Sequence, residues 1–72
     1  MEPVGVGIIG TGVGRRRALG LVDDLRVEKV VMCSKDEGAL GRVAEEVGAA
    51  ETTTHWQALV ERDDLHVISV AT

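Results

Sequence analysis

The sequence predicts an α/β fold: a three-stranded parallel sheet in the order 3-2-1 with flanking helices. Short runs rich in Val and Ile alternate with stretches of helical periodicity, and parallel strands are the arrangement that needs such crossover helices. A glycine cluster, Gly10-Thr11-Gly12-Val13-Gly14, falls where the first apolar run gives way to the first helical one. The composition, 44% hydrophobic and 28% charged over 72 residues with Trp56 as the sole aromatic side chain, suits one small aliphatic core. Residues 1–72 are therefore read as a single unit.

The elements follow in order. Val4 to Ile9, bounded by Pro3 and Gly10, is a short run suited to a buried strand. From about Val13 to Leu25, the residues Ala18, Leu19, Val22 and Leu25 stand at helical spacing, with Gly20 weakening the helix locally. Val27 to Cys33 returns to strand character. Leu40, Val43, Ala44 and Val47 occupy i, i+3, i+4 and i+7, with Asp36 placed to cap the helix start and Gly48 just past its end. Ala49 to Thr53 is extended, and Thr54-His55-Trp56-Gln57 matches a capping box ahead of Ala58, Leu59 and Val60. After Asp63-Asp64, Leu65 to Ala71 reads as the third strand. With right-handed crossovers this is one mononucleotide-binding half of a doubly wound sheet.

Charge and composition exclude several functions. A net charge of −4 argues against a nucleic-acid or anionic-membrane surface, which needs a basic excess. The N-terminus has no basic segment, and the apolar residues after it are interrupted by Gly5, Gly7 and Gly10. It therefore reads as neither a signal peptide nor a membrane span, and a reducing cytoplasm is expected. A single cysteine, Cys33, and two separated histidines, His55 and His66, provide neither an internal disulfide nor a zinc ligand set. A domain of this length buries only about 60% of its unfolded surface, so a partner is expected to contribute stability.

The glycine cluster has a mechanical reading. The first glycine permits a tight turn, the second lets a pyrophosphate approach the backbone, and the third lets helix pack closely on strand. Helix N–H groups and the positive dipole end then face the phosphates. Arg15 stands at the usual third position, and the glycine comes one residue early, at Gly14. The string Gly5-Val6-Gly7-Ile8-Ile9-Gly10 fits G-x-G-x-x-G on paper but lies inside the strand. Arg15, Arg16 and Arg17 crowd the first helical turn, where cations are disfavoured unless an anion arrives; two of the three are expected to face solvent.

At the end of the second strand, roughly 20 residues after the glycines, an NAD site usually offers Asp or Glu to the ribose. This chain offers Ser34 and Lys35, which suit a 2′-phosphate, so NADP is favoured over NAD. Ser34 and Asp36 also read as helix-capping residues. Cys33, His55, His66 and Trp56 are read as packing or surface residues.

With these residues in place the chain resembles the N-terminal Rossmann part of the Gfo/Idh/MocA (glucose-fructose oxidoreductase and inositol dehydrogenase) family. The resemblance rests on Val6 to Arg16, on Trp56-Gln57-Ala58-Leu59-Val60 with Asp63-Asp64-Leu65, and on Val67-Ile68-Ser69-Val70-Ala71-Thr72. It implies an NAD(P)-dependent oxidoreductase transferring hydride to or from a sugar, cyclitol or related small molecule, with Ala71 and Thr72 beside the cofactor. Cofactor contacts are thus expected at Gly10, Thr11, Gly12, Val13, Gly14, Arg15, Ser34, Lys35, Ala71 and Thr72. The family also carries a Glu-Lys-Pro segment with a catalytic lysine and a second α/β domain. The lysines here are Lys29 and Lys35 and the sole proline is Pro3, so no catalytic residue is assigned and the chain is expected to be part of a longer protein. Two other readings are a non-catalytic nucleotide-binding module and an interaction module that recruits a partner at a sheet edge. In the three-stranded arrangement the first strand is an apolar edge, so a homo-oligomer formed through that edge or by strand exchange is expected.

Overall fold

A computed structural model describes residues 3–71. The elements run β1 (Val4–Ile9), α1 (Val13–Leu21), β2 (Val27–Cys33), α2 (Glu37–Val47), β3 (Glu51–Thr53), α3 (Trp56–Val60) and β4 (Val67–Val70). The strands form one parallel sheet in the order β3-β2-β1-β4.

The three-stranded 3-2-1 arrangement is corrected by this topology. The extended segment after α2 is itself a strand, with Val31 opposite Glu51 and Cys33 opposite Thr53. The last strand lies on the other side of β1, with Val6 opposite Val67 and Ile9 opposite Val70. Handedness gives the physical reason. Steps from β1 to β2 to β3 move in one direction and put α1 and α2 on one face, whereas the return from β3 to β4 reverses direction and puts α3 on the other. Consequently β1 is paired on both sides, and self-association through an exposed β1 edge is ruled out. The outer strands are β3 and β4.

The two faces of the sheet carry separate cores. Val6 and Ile8 of β1 with Val30 and Met32 of β2 pack beneath Ala18 of α1 and Leu40 and Val47 of α2. On the other face Val31 and Cys33 meet Leu59 of α3 and Leu65, with Ile9 and Ile68 alongside. Leu65, expected in the last strand, is buried in the connection before it.

Local signals explain most boundaries. Asp36 caps α2 by accepting the Ala39 N–H at 3.0 Å, and Gly48 ends it in the left-handed region at φ 77°. By contrast α1 stops at Leu21, well short of Leu25, which is fully exposed. Asp24 breaks the helix: its carboxylate accepts the Arg26 backbone N–H at 2.9 Å and grips the Arg26 guanidinium. A side chain that satisfies local backbone in a turn competes with helix continuation. Asp23 and Asp24 both lie beyond the end of α1. At α3 the cap position is His55 rather than Thr54, with no side-chain cap; the Thr53 hydroxyl accepts the His55 N–H at 3.1 Å instead.

The second face depends on glycine. A Cβ on Gly5 would lie 2.0 Å from the Asp64 carbonyl oxygen, and one on Gly7 2.8 Å from Ile68 Cδ1 and 3.2 Å from Leu59. The alternation Gly5-Val6-Gly7-Ile8 thus puts side chains under α1 and α2 and bare backbone under α3 and the 62–66 connection. That connection is held in place twice. His66 donates its N–H to the Gly5 carbonyl at 2.8 Å, and its Nδ1 accepts the Gly5 N–H at 3.0 Å. Arg62 grips Asp64 and Glu51 through paired hydrogen bonds, and Lys29 reaches Asp64 at 2.9 Å. These partners hold the Asp64 carboxyl well below the usual carboxylate range, chiefly through the hydrogen bond from Arg62, then that from Lys29.

Two outcomes follow. Gly5→Ala forces a side chain into rigid backbone and should cost about 3 kcal/mol or more, whereas Gly20→Ala, in open space within α1, should stabilise by about 1 kcal/mol; urea denaturation of both variants measures this. Asp64 and Asp24, the latter lowered to about 2 by hydrogen bonds from Arg26, have folded pKa values below their unfolded ones, as do Glu46 and Glu51. Their contribution is present above the unfolded values and lost as pH falls through the folded ones. Melting temperature should therefore drop between about pH 5 and about pH 2, and the drop should be shallower in Arg62→Met.

Candidate functional site

Because every strand runs the same way, Ile9, Cys33, Thr53 and Val70 end at one edge of the sheet. Backbone pairing continues past these ends. Gly10 donates its N–H to the Cys33 carbonyl at 2.9 Å, Ala71 to Ile9 at 2.8 Å and Ser34 to Thr53 at 3.3 Å. Gly10, Ser34 and Ala71 are thereby fixed in a row, and Gly10 and Ser34 each open a turn. In a parallel α/β sheet this edge is where ligands bind.

The three glycines of the turn meet different demands. Gly10 has φ 113°, a conformation closed to ordinary side chains. Gly12 is the cap residue of α1, and a Cβ there would meet nothing within 4 Å. A Cβ on Gly14 would lie 2.8 Å from Ile8 Cγ2 and 3.7 Å from the Ala71 Cβ. Close packing of helix on strand therefore falls at Gly14, one residue earlier than the usual spacing. The first turn of α1 has neither a side-chain cap nor an acidic residue, so among the described residues its orphan N–H groups and positive dipole end have no side-chain anion within that turn to satisfy them.

A cleft of about 350 Å³ opens at this edge, lined by Ile9, Gly10, Cys33, Ser34, Lys35, Thr54 and Trp56. It brings together Gly10, Ser34 and Lys35 from the sequence-predicted set. Thr11, Gly12 and Val13 continue from Gly10 along the turn into α1, and Ala71 is buried beside Gly14. Thr72 lies outside the described residues. Arg15 points elsewhere, its guanidinium bonded to Glu46 of α2, and Arg17 donates to the Ser69 hydroxyl and the Val70 carbonyl. Arg16 and Arg17 are exposed, the two expected to face solvent, although Arg17 also reaches β4, and Arg15 is half-buried.

Polar chemistry around the cleft is one-sided. Lys35 is exposed and has no ion pair among the described residues. Ser34 accepts the Asp36 N–H at 3.2 Å, while the Asp36 carboxylate is engaged in the α2 cap. Among the described residues no carboxylate lines the cleft. Burial pushes the Cys33 thiol up and keeps it protonated, which does not suit a nucleophile. Among the described residues no group of three or more His, Cys, Asp or Glu could hold a metal ion, and no helix is long and apolar enough to cross a membrane.

A larger groove of about 720 Å³ runs between α1 and β4, floored by Val4, Val6, Leu21, Val27 and Val67. It extends toward the opposite ends of the strands, with Asp24 and Arg26 at its rim. The glycine turn takes no part in it.

Thr54 and Trp56 were not among the expected site residues. The available signal was the extended segment Ala49–Thr53: once it is a parallel strand, the residues after it must arrive at the same edge as Gly10 and Ser34.

No protein-family model and no curated protein matches the sequence. Solved structures do. GenD2 from gentamicin A biosynthesis, in complex with NAD, is 30% identical with a TM-score of 0.86, over 100% of this chain and 21% of that one. The chain matches dehydrogenases of the Gfo/Idh/MocA type. Myo-inositol 2-dehydrogenase from Lactobacillus plantarum is 27% identical with a TM-score of 0.82, over 99% of this chain and 22% of that one. KijD10, a 3-ketoreductase from Actinomadura kijaniata in complex with NADP and TDP-benzene, is 32% identical with a TM-score of 0.76, over 93% and 21%. The match is to the Rossmann part of these proteins, and this chain spans about a fifth of their length.

Proposed function

We propose that this chain is the dinucleotide-binding segment of an NAD(P)-dependent oxidoreductase acting on a sugar, cyclitol or related small molecule. The observation that carries the reading is the meeting of an open Gly12 turn, an uncapped α1 N-terminus and the Ser34-Lys35 pair at one edge of a parallel sheet. Matched structures that hold NAD or NADP support it.

The residues present fit such a cofactor. Gly10 to Gly14 would hold the pyrophosphate, since a methyl group at Gly12 would fill space that a ligand can occupy. Ser34 and Lys35 would hold the adenosine ribose, and Ala71 would stand beside the loop. When bound, the cofactor supplies the hydride, and this chain binds and orients it. Arg15 would join the phosphate site only by leaving Glu46.

NADP is favoured over NAD because Lys35 is cationic, Ser34 is neutral and Asp36 is occupied in its cap. A lone buried thiol suits a reducing cytoplasm.

Gly12→Ala should leave the melting temperature unchanged within error while weakening NADP binding about tenfold or more, because the added methyl meets no protein atom. Lys35→Ala should remove a roughly tenfold to hundredfold preference for NADP over NAD. Calorimetric titration measures both. Absence of binding by the unmodified chain at millimolar dinucleotide would overturn the reading.

A further inference from the structure

We infer that Trp56 and Thr54 complete the nucleotide site, the Trp56 indole being the wall against which the base of the dinucleotide packs. The inference rests on the cofactor reading above and assigns a specificity-determining role to residues of the β3–α3 junction.

Trp56 opens α3, with only Thr54 and His55 between it and the end of β3. Thr53 pairs with Cys33 in the sheet, and the Ser34 N–H donates to the Thr53 carbonyl at 3.3 Å, so this junction and the Ser34-Lys35 turn lie side by side. Trp56 and Ser34-Lys35 therefore share one cleft, with Ile9 and Cys33 among its apolar lining. Trp56 is 47% exposed, although the core on the same face draws in Leu59 of the same helix completely. An aromatic ring left half in water at the mouth of a cleft keeps a large stacking surface unused by the fold.

The cleft divides by chemistry. Lys35 and Ser34 present a cation and a hydroxyl suited to a phosphorylated ribose, and Trp56 with Ile9 presents apolar surface suited to a purine. A stacked base needs no hydrogen-bond readout, so the wall favours a large ring without selecting among purines. The Thr54 side chain, half-buried in the same lining, narrows the cleft between the indole and the Ser34-Lys35 turn.

The chain contains no Tyr or Phe and no second Trp, so its intrinsic fluorescence reports this one side chain. Titration of the 72-residue chain with 2′,5′-ADP should quench Trp56 emission saturably, at the concentrations at which calorimetry registers binding. Nicotinamide mononucleotide, which lacks the purine, should leave the emission flat. In calorimetry Trp56→Ala should weaken 2′,5′-ADP binding about tenfold, and Trp56→Phe should restore it to within about threefold of the original. Calorimetric binding of 2′,5′-ADP with unchanged emission, or equal affinity in Trp56→Ala, would overturn the assignment and leave the cofactor reading intact. Absence of calorimetric binding for both 2′,5′-ADP and NADP would overturn the two together.

Discussion

The approach of the 62–66 connection to bare backbone at Gly5 and Gly7 is the constraint on which the rest of the structure depends. β1 must be central for the sheet to reverse direction, and a central strand carries elements on both faces. One face holds full side chains, with Val6 and Ile8 packed beneath α1 and α2. The other cannot, because a five-residue helix and a short return bring Asp64 and Leu65 directly onto the strand. Glycine at alternate positions resolves this, and the bonds from Gly5 to His66 convert the close approach into pairing. With β4 so anchored, the four strand ends align at one edge and Ala71 is delivered beside Gly14.

Electrostatics serve the same return. Arg62 stands between Glu51 of β3 and Asp64 of the connection, and Lys29 of β2 reaches the same carboxylate. Exposed ion pairs are individually weak. Here, however, four charges from β2, β3 and the α3–β4 connection share one network, which ties the connection to two neighbouring strands and fixes its path across them. The glycine turn at the other end of the strands is left with the opposite character, orphan N–H donors and, at Lys35, a cation with no ion pair among the described residues. A turn with orphan N–H donors beside an exposed lysine, in a chain of net charge −4, is a local feature that the overall balance conceals.

Much of this was legible in the residues. The spans of β1 and β2 and the caps of α2 followed from short-range physics: apolar runs, an aspartate able to bond the N–H three residues on, a glycine able to take positive φ. Lateral strand order was not legible, because it depends on which face each crossover occupies. That error made β1 an edge and suggested self-association there. The overlong α1 came from counting Leu25 by periodicity when Asp24 forms a turn with Arg26. At the strand-end edge, the placement of Gly10 beside Ser34 and Lys35 could be read from spacing alone. The diversion of Arg15 to Glu46 and the arrival of Trp56 depend on α2 packing beside α1 and on β3 being a strand, neither of which a local pattern contains.

The central claim is that the strand-end cleft, and not the larger apolar groove between α1 and β4, receives a dinucleotide. Amide chemical-shift mapping of the isotopically labelled chain during an NADP titration separates the two directly. Shifts concentrated at Gly10, Thr11, Gly12, Ser34, Lys35 and the Trp56 indole N–H are expected. Shifts confined to Val4, Leu21, Val27 and Val67, or none at millimolar NADP, would contradict the account.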